Sequence, residues 1–352
     1  MIKNLIIGAG FSAAFAKIIL GKKAKIIGCT DEVQFKNLDL IRRKSLECNK
    51  ILSAPAFSYG TLEFNLKNGK LHDRLSSGGN SNIWGGTFDT KKISKKFIDL
   101  LNKNKIFLQK FSYEKTGTTS NNQNLSQLQT KNNKIFKVKN LPIRIENNYV
   151  LKILKNKKKI SIETFNNNIK KKNIESKKII LCVGTVQLLD ILFRSGFIKN
   201  NDIIELSEFK SEFKWRFLNA KFKKNTLIER YHFARAIGHY LGIQYFSKIL
   251  KLFKFMPLRI DQIYYPKKIN YKLILKNGII TEVKSNKPNK FFFGESVHYC
   301  NMRINKLNIN SFLKKIDKNF IGIGMPFINQ NLPGPISNEI VEDMMKKLEY
   351  FD

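Results

Sequence analysis

The sequence predicts an α/β fold: a parallel sheet with helices laid on it, joined to a smaller α+β region. Three observations lead there. Two short apolar runs, Leu5-Ile6-Ile7 and Ala24 to Cys29, flank a glycine turn and a helix-like segment, the β-α-β order of a buried parallel sheet. A third apolar, strand-like run surrounds Cys182, Ile179 to Val183. Between and after these, the chain changes to hairpin signals and polar, basic stretches.

Composition bounds the possibilities. The 352 residues are 42% hydrophobic and include 28 Phe, which excludes a disordered or fibrous chain and leaves room for two domains, or one large domain with an insertion. The formal net charge of +37 points first to nucleic acid or an anionic membrane. The kind of base argues otherwise: 54 Lys stand against 10 Arg, and 38 Asn accompany them. Arginine is the residue that forks onto phosphates and base edges, so no specific nucleic-acid partner is expected. Lysine spread over the whole length reads as compositional bias.

Cysteine and histidine add little. Cys29, Cys48, Cys182 and Cys300 form no CxxC pair, and His72, His232, His239 and His298 are not at metal-ligand spacing, so no metal site is expected. A reducing, cytoplasmic setting fits. No run of apolar residues is long enough to span a bilayer. Met1 to Leu20, with a lysine, an apolar stretch and Ala-Phe-Ala, has some features of a signal peptide.

The same N-terminus reads more fully as a nucleotide-binding turn. Gly8-Ala9-Gly10-Phe11-Ser12-Ala13 follows the first strand and opens the helix-like Ala14 to Leu20, which is the GxGxxG/A pattern in its Rossmann-like context. Gly8 permits the tight turn and Gly10 the approach of a pyrophosphate. Phe11 and Ser12 fill the turn, and Ala13 lets helix and strand pack closely. Asp31, 23 residues after Gly8, stands where a carboxylate meets ribose hydroxyls, with Thr30 as the alternative register.

Next comes Ser76-Ser77-Gly78-Gly79-Asn80-Ser81-Asn82-Ile83-Trp84-Gly85-Gly86. Four glycines and small polar residues cannot build a core, but they can wrap backbone donors around a phosphate or a flat ring, with Trp84 pinning the loop. The alternative is a mobile surface loop.

In the middle, residues 114–134 read as an exposed loop. Asn68-Gly69 and Asn277-Gly278 predict hairpins over Leu62 to Leu71 and Lys272 to Val283. Lys152 to Ile180 alternates short strands with basic turns, as in a β-meander. Thr226 to Met256 reads as the longest helix. Within it Leu241, Tyr245, Ile249, Leu252 and Met256 share one face, with Lys248, Lys251 and Lys254 on another. Such a helix rests either on the core or on an anionic membrane surface.

The N-terminal turn and the GG-small-N-x-WGG loop together resemble the glucose–methanol–choline (GMC) flavin oxidoreductases, in particular their short bacterial members found with polysaccharide biosynthesis genes. Two further stretches are similar to that family: Lys177 to Gly196, where Gly184 would pass close to the dinucleotide, and the C-terminal segment from Ile316 through Gly322, Gly324 and Pro326, followed by a closing helix from Pro335 to Leu348. The four blocks cover about half the chain in the family's order, and residues 200–290 match poorly.

The resemblance implies a Rossmann-like FAD-binding domain made of 1–110, 140–200 and 290–352, with a reduced α+β cap, or substrate domain, from 111–139 and 201–289. It implies FAD as cofactor, held by Gly8, Gly10, Phe11, Ser12, Ala13, Asp31, Gly78, Gly79, Asn80, Ser81, Trp84, Gly85, Gly86, Gly184, Gly324 and Pro335. His298 would be the base that takes a hydroxyl proton while the carbon passes hydride to flavin N5. The activity implied is oxidation of CH–OH donors, a sugar-like or other polar alcohol. A structural histidine is the alternative for His298. The family usually places a second His or Asn just before the proline of the closing helix, where this chain has Gly334. That departure keeps open a flavin-binding protein without alcohol oxidation, and the charge keeps open a basic module for membranes or nucleic acid. The expected location is cytoplasmic, with peripheral contact at the inner membrane face through 240–256 if the basic helix is used that way.

Overall fold

A computed structural model describes residues 2–30, 63–65, 87–110, 118–120, 125–130, 138, 141, 143–156, 159–165, 171–217, 227–232, 259–286, 299–329 and 336–349. Asp31, the glycine-rich loop 76–86, the Asn68-Gly69 hairpin, the basic segment 240–256, His298, Gly334 and Pro335 lie outside these residues.

The chain opens with β1 (Ile2–Ile7), α1 (Phe11–Leu20) and β2 (Ala24–Gly28). Then come β3 (Glu63–Asn65), β4 (Thr87–Asp89), α2 (Lys95–Lys103), β5 (Ile106–Lys110), β6 (Thr118–Ser120) and β7 (Leu125–Thr130). Next follow β8 (Glu146–Asn147), β9 (Tyr149–Asn156), β10 (Lys159–Phe165), β11 (Lys171–Leu181) and α3 (Thr185–Arg194). The remainder is β12 (Ile203–Phe217), β13 (Leu227–His232), β14 (Arg259–Lys276), β15 (Ile279–Ser285), β16 (Tyr299–Ile304), β17 (Leu307–Asn308), α4 (Ile309–Ile316), β18 (Phe320–Gly322) and α5 (Ile336–Glu349).

The first sheet has the order β8-β2-β1-β11-β10-β9, with β18 also on β11. Its β8, β2, β1, β11 and β18 pairings are parallel, whereas β9, β10 and β11 form the expected antiparallel meander. β11 serves both arrangements. Ser176 pairs with Ile2 on one edge and Ile160 on the other, and beyond it β18 takes the edge that β10 leaves, with Phe320 opposite Ile179.

Strand period explains why this sheet is doubly covered. Leu5, Ile7, Ile179 and Leu181 point into one core with α3 and α4, while Ile6, Ile26 and Ile180 point into another with α1, α2 and α5. Burying each such side chain stabilises by roughly 1.5–3 kcal/mol before chain entropy is subtracted. The helices follow from the same pattern. α2 begins at Ser94, whose side chain accepts from the Phe97 N–H, and its buried Phe97 and Leu101 stand four residues apart on one face.

The second sheet runs β17-β16-β12-β14-β13-β6, with β15 joining β14 to β3. The long β14 again divides an edge: β13 pairs with its first half and β15 with its second. Ile269, Tyr271, Leu273 and Leu275 of β14 point inward to the core shared with the parallel sheet, and Lys268, Lys272 and Lys276 point out. The β14–β15 hairpin turns at Asn277-Gly278 as its sequence predicts, both residues having positive φ. A third, small sheet is ordered β4-β7-β5.

Two expectations are overturned. Residues 125–130, read as exposed loop, are the middle strand of the small sheet, with Ser126, Leu128 and Gln129 buried. Polar composition suggested solvent, but strands on both sides pair with its backbone. Residues 227–232, read as the start of a helix, form β13 instead, because pairing with β14 on one edge and β6 on the other overrides a weak local propensity.

Candidate functional site

The site is built where parallel strands end. β1, β11 and β18 lie side by side and leave their carboxyl ends at Gly8, Cys182 and Ile323. Strand order runs from β1 to β2 on one side and to β11 on the other. That reversal opens the crevice in which such sheets take ligands.

Gly8 makes the first turn. Its φ is +136°, its N–H donates to the Ile27 carbonyl at 2.8 Å, and a Cβ there would stand 2.3 Å from the Cys182 carbonyl oxygen. Gly28 closes the same turn from the other side: a Cβ on it would meet the Gly8 backbone at 2.6 Å. Gly10 caps α1 in extended conformation. The first helical bond runs from the Ala14 N–H to the Gly10 carbonyl at 3.0 Å, and no side chain caps the helix start. The N–H groups ahead of that bond face out of the helix end, where its dipole is positive. α3 repeats the arrangement on the neighbouring strand, with Gly184 as its uncapped N-cap and Leu188 donating to it at 2.9 Å.

Gly324 joins them from the C-terminal part. It follows β18, has φ +119°, and a Cβ on it would lie 3.0 Å from Ser12 Oγ. The chain after β18 thus passes close to the start of α1, in a positive-φ conformation that favours glycine. Ile323 extends the β18 pairing by donating to the Leu181 carbonyl at 2.9 Å, and Phe327 donates to Gly324 at 3.0 Å in the turn that follows. The structure therefore brings together Gly8, Gly10, Ser12, Ala13 and Gly324, with Gly184 at the adjacent strand end. Phe11 contributes only backbone there, since its ring packs in the core on Phe15 and Phe88, at centroid distances of 4.6 and 6.3 Å.

Several supporting residues were missed from sequence. Gly28 carries no motif. Asn147 accepts from the Thr30 N–H at 2.9 Å, and Asn148 donates to the Gly28 carbonyl at 3.2 Å, so β8 fixes the chain where the ribose acid was expected. Asn338, in the first turn of α5, accepts from the Asp89 N–H and donates to its carbonyl, both at 2.9 Å. Asp89 lies three residues beyond the glycine-rich loop, so this pair clamps the loop's exit to the start of the closing helix. Only the fold reveals these pairings, because the partners are far apart in sequence.

The electrostatics beneath the crevice are those of buried groups. Lys347 Nζ donates to the Gly322 carbonyl at 2.7 Å and to Asn310 Oδ1 at 3.0 Å, and pairs with Asp343 at 2.8 Å. Burial lowers its pKa, with Asp343 opposing, and burial raises that of Asp343. The Cys182 thiol is pushed up by burial, which Lys347 partly offsets. Glu339, beside Asn338, is raised by burial against the pull of Lys92. Farther out, Asp190 accepts from Tyr149 at 2.9 Å and from Arg194 at 3.1 Å, tying the meander to α3. Burial is the largest cause that raises the Tyr149 phenol, with Asp190 next.

A dinucleotide fits this arrangement: backbone without side chains at Gly8, Gly10 and Gly324, and two uncapped helix starts to face a pyrophosphate. Among the described residues no group of His, Cys, Asp and Glu could hold a metal ion, and no helix is long and apolar enough to cross a membrane.

No family model and no curated protein matches the chain. Solved structures do. A pyridoxine 4-oxidase from Mesorbium loti superposes with a TM-score of 0.51 over 99% of this chain and 99% of its own, at 10% identity. A CLA-producing fatty acid isomerase from P. acnes reaches 0.35 over 99% of both chains, also at 10% identity. A flavoprotein/dehydrogenase from Cytophaga hutchinsonii reaches 0.27 over 79% of this chain and 70% of its own, at 12% identity. The first of these shares the fold, end to end.

Proposed function

We propose that the chain is an FAD-dependent oxidoreductase of the GMC type that oxidises a hydroxyl of a sugar-like or other polar alcohol. The observation that carries the reading is the contact of Gly324 with Ser12 at the uncapped start of α1. It joins the N-terminal turn to the C-terminal segment that the family resemblance assigns to the flavin. The end-to-end likeness to a pyridoxine 4-oxidase supports a flavin enzyme fold.

The turn at Gly8 to Ala13 would bind the pyrophosphate through backbone donors, and Gly184 and Gly324 would let the chain pass close to it. Thr30 is positioned by Asn147, and Asp31, next in sequence, would meet the ribose. Residues 78–86 and Pro335 would complete the ring site. Bound FAD supplies hydride acceptance at N5. His298 would take the hydroxyl proton, as an imidazole with a pKa near working pH is suited to do. Strands β6 and β12 to β15 of the eight-stranded sheet would belong to the cap made of 111–139 and 201–289, and its β3, β16 and β17 to the FAD domain made of 1–110, 140–200 and 290–352.

The absorbance spectrum of the purified protein tests the cofactor. Flavin bands near ~450 nm are expected, and no bands with no FAD uptake on reconstitution would refute the reading. Replacing His298 by Ala should slow flavin reduction by substrate by ~10²-fold or more, and an unchanged rate would remove it from the chemistry. Gly334 in place of the family's second His or Asn favours a second reading, a flavin-binding protein without alcohol oxidation. Bound flavin that no alcohol in a broad panel bleaches is the outcome that reading expects.

A further inference from the structure

The nucleotide crevice takes the carboxyl ends of the parallel strands. A separate groove lies at their amino ends. α3 starts beyond the end of β11 and runs back along it, so its last residues and Gly196-Phe197 reach the opposite side of the sheet. α4 precedes β18, so its last residues reach that side too. Between them, with the β16–β17 hairpin as third wall, is a groove of about 720 Å³. That volume is within the range of small-molecule sites.

Its floor is apolar. Phe197, Ile304, Leu307, Phe312 and Ile316 line it. Phe197 stacks against Phe320 with ring centroids 6.1 Å apart, which anchors this wall to the core, and Leu307 remains 37% exposed. Its rim is cationic, carrying Lys199 and Lys315. Two carboxylates stand nearby, and each accepts from other donors. Asp202 accepts from the Lys199 backbone N–H at 2.8 Å and from Asn305 Nδ2 at 2.7 Å. Asp317 accepts from the Asn319 N–H at 2.9 Å and pairs with Lys155 at 3.6 Å. Neither ammonium, Lys199 nor Lys315, has an ion-pair partner among the described residues.

We infer that this groove binds a small amphipathic anion: an apolar body lying on Phe197, Leu307 and Phe312, and a carboxylate or phosphate head between Lys199 and Lys315. An apolar floor favours burial of a hydrocarbon or aromatic body. Two ammonium groups without an ion-pair partner among the described residues favour one anionic head. The site is independent of whatever the glycine turn binds, since it opens on the other side of the sheet.

Hydrogen exchange of the whole chain, with monomeric dodecanoate and dodecyl phosphate as probes, tests this. Protection is expected in peptides covering 196–199 and 304–316, and the two probes distinguish a carboxylate from a phosphate head. The double variant Lys199→Glu/Lys315→Glu, both exposed and so compatible with folding, should weaken binding by at least about tenfold. A control, Lys268→Glu/Lys272→Glu, makes the same change in net charge on the outer face of the eight-stranded sheet and should leave binding unchanged. Equal protection by dodecyltrimethylammonium would overturn the inference. So would unaltered binding by the groove variant, equal loss in the control, or protection confined to other segments.

Discussion

Asn338→Ala should show how much the closing helix depends on one amide. Both ends of the Asn338 side chain are used, each at 2.9 Å, on the N–H and the carbonyl of Asp89. Asn338 is 4% exposed and Asp89 9%, so little water replaces what is lost. Truncation leaves one buried donor and one buried acceptor unpaired, at about 1–3 kcal/mol each, which gives a destabilisation of about 2–6 kcal/mol. Asn338→Asp keeps the acceptor but loses the donor. It also adds a negative charge to the first turn of a helix, worth about 0.3–1 kcal/mol, so it should fall between wild type and alanine. Urea unfolding measures this, as a shift in midpoint at constant slope. Flavin retention supplies a second readout. If the pair clamps the loop exit to the helix, Asn338→Ala should release FAD more readily than Leu101→Ala, a core truncation expected to cost a similar ~2–5 kcal/mol. A stability change below about 0.5 kcal/mol for Asn338→Ala would refute the reasoning.

Gly324→Ala forces a Cβ to within 3.0 Å of Ser12 Oγ at φ +119°, and should cost about 1–3 kcal/mol and lower FAD affinity, checked by thermal melts and by flavin released on dilution. Gly28→Ala drives a Cβ into the Gly8 backbone at 2.6 Å, and soluble yield should fall sharply, whereas Gly21→Ala, with open space at its Cβ, should cost only the backbone strain of its φ of +55°, about 1–3 kcal/mol. For Glu339 the sign follows from burial: its folded pKa is raised above the unfolded value, so its contribution is fully present below the unfolded pKa and is lost as pH rises through the folded one. Glu339→Gln should therefore gain on wild type as pH rises above the ordinary glutamate range, and parallel midpoint-versus-pH curves would contradict it. If 240–256 rests on membranes, the protein should float with anionic liposomes at low salt and sink at high salt.

The turn at Gly8 to Ala13 was legible because its geometry is local. Gly8, Gly10 and Ala13 are dictated by a strand, a turn and a helix within a dozen residues, and the Asn277-Gly278 hairpin is a two-residue signal. Gly324 was found only through resemblance, because nothing in its own neighbourhood announces that Ser12, over three hundred residues earlier, lies where a Cβ on it would come within 3.0 Å. Gly28, Asn147 and Asn338 were missed for the same reason. The strands at 125–130 and 227–232 were misread because they are set by neighbours across a sheet, and polar or mixed segments carry little of that information. Asp31, the 76–86 loop and His298 are expectations of the sequence alone.

The split edge of β11 also sets an order of assembly. β1 pairs with β2 within its first thirty residues, but its other neighbour arrives only at residues 176–181, and β18 at 320–322. During synthesis the N-terminal β-α-β unit must therefore wait, with an apolar strand edge uncovered, for partners made long afterwards. Contacts so distant along the chain slow folding and expose sticky intermediates.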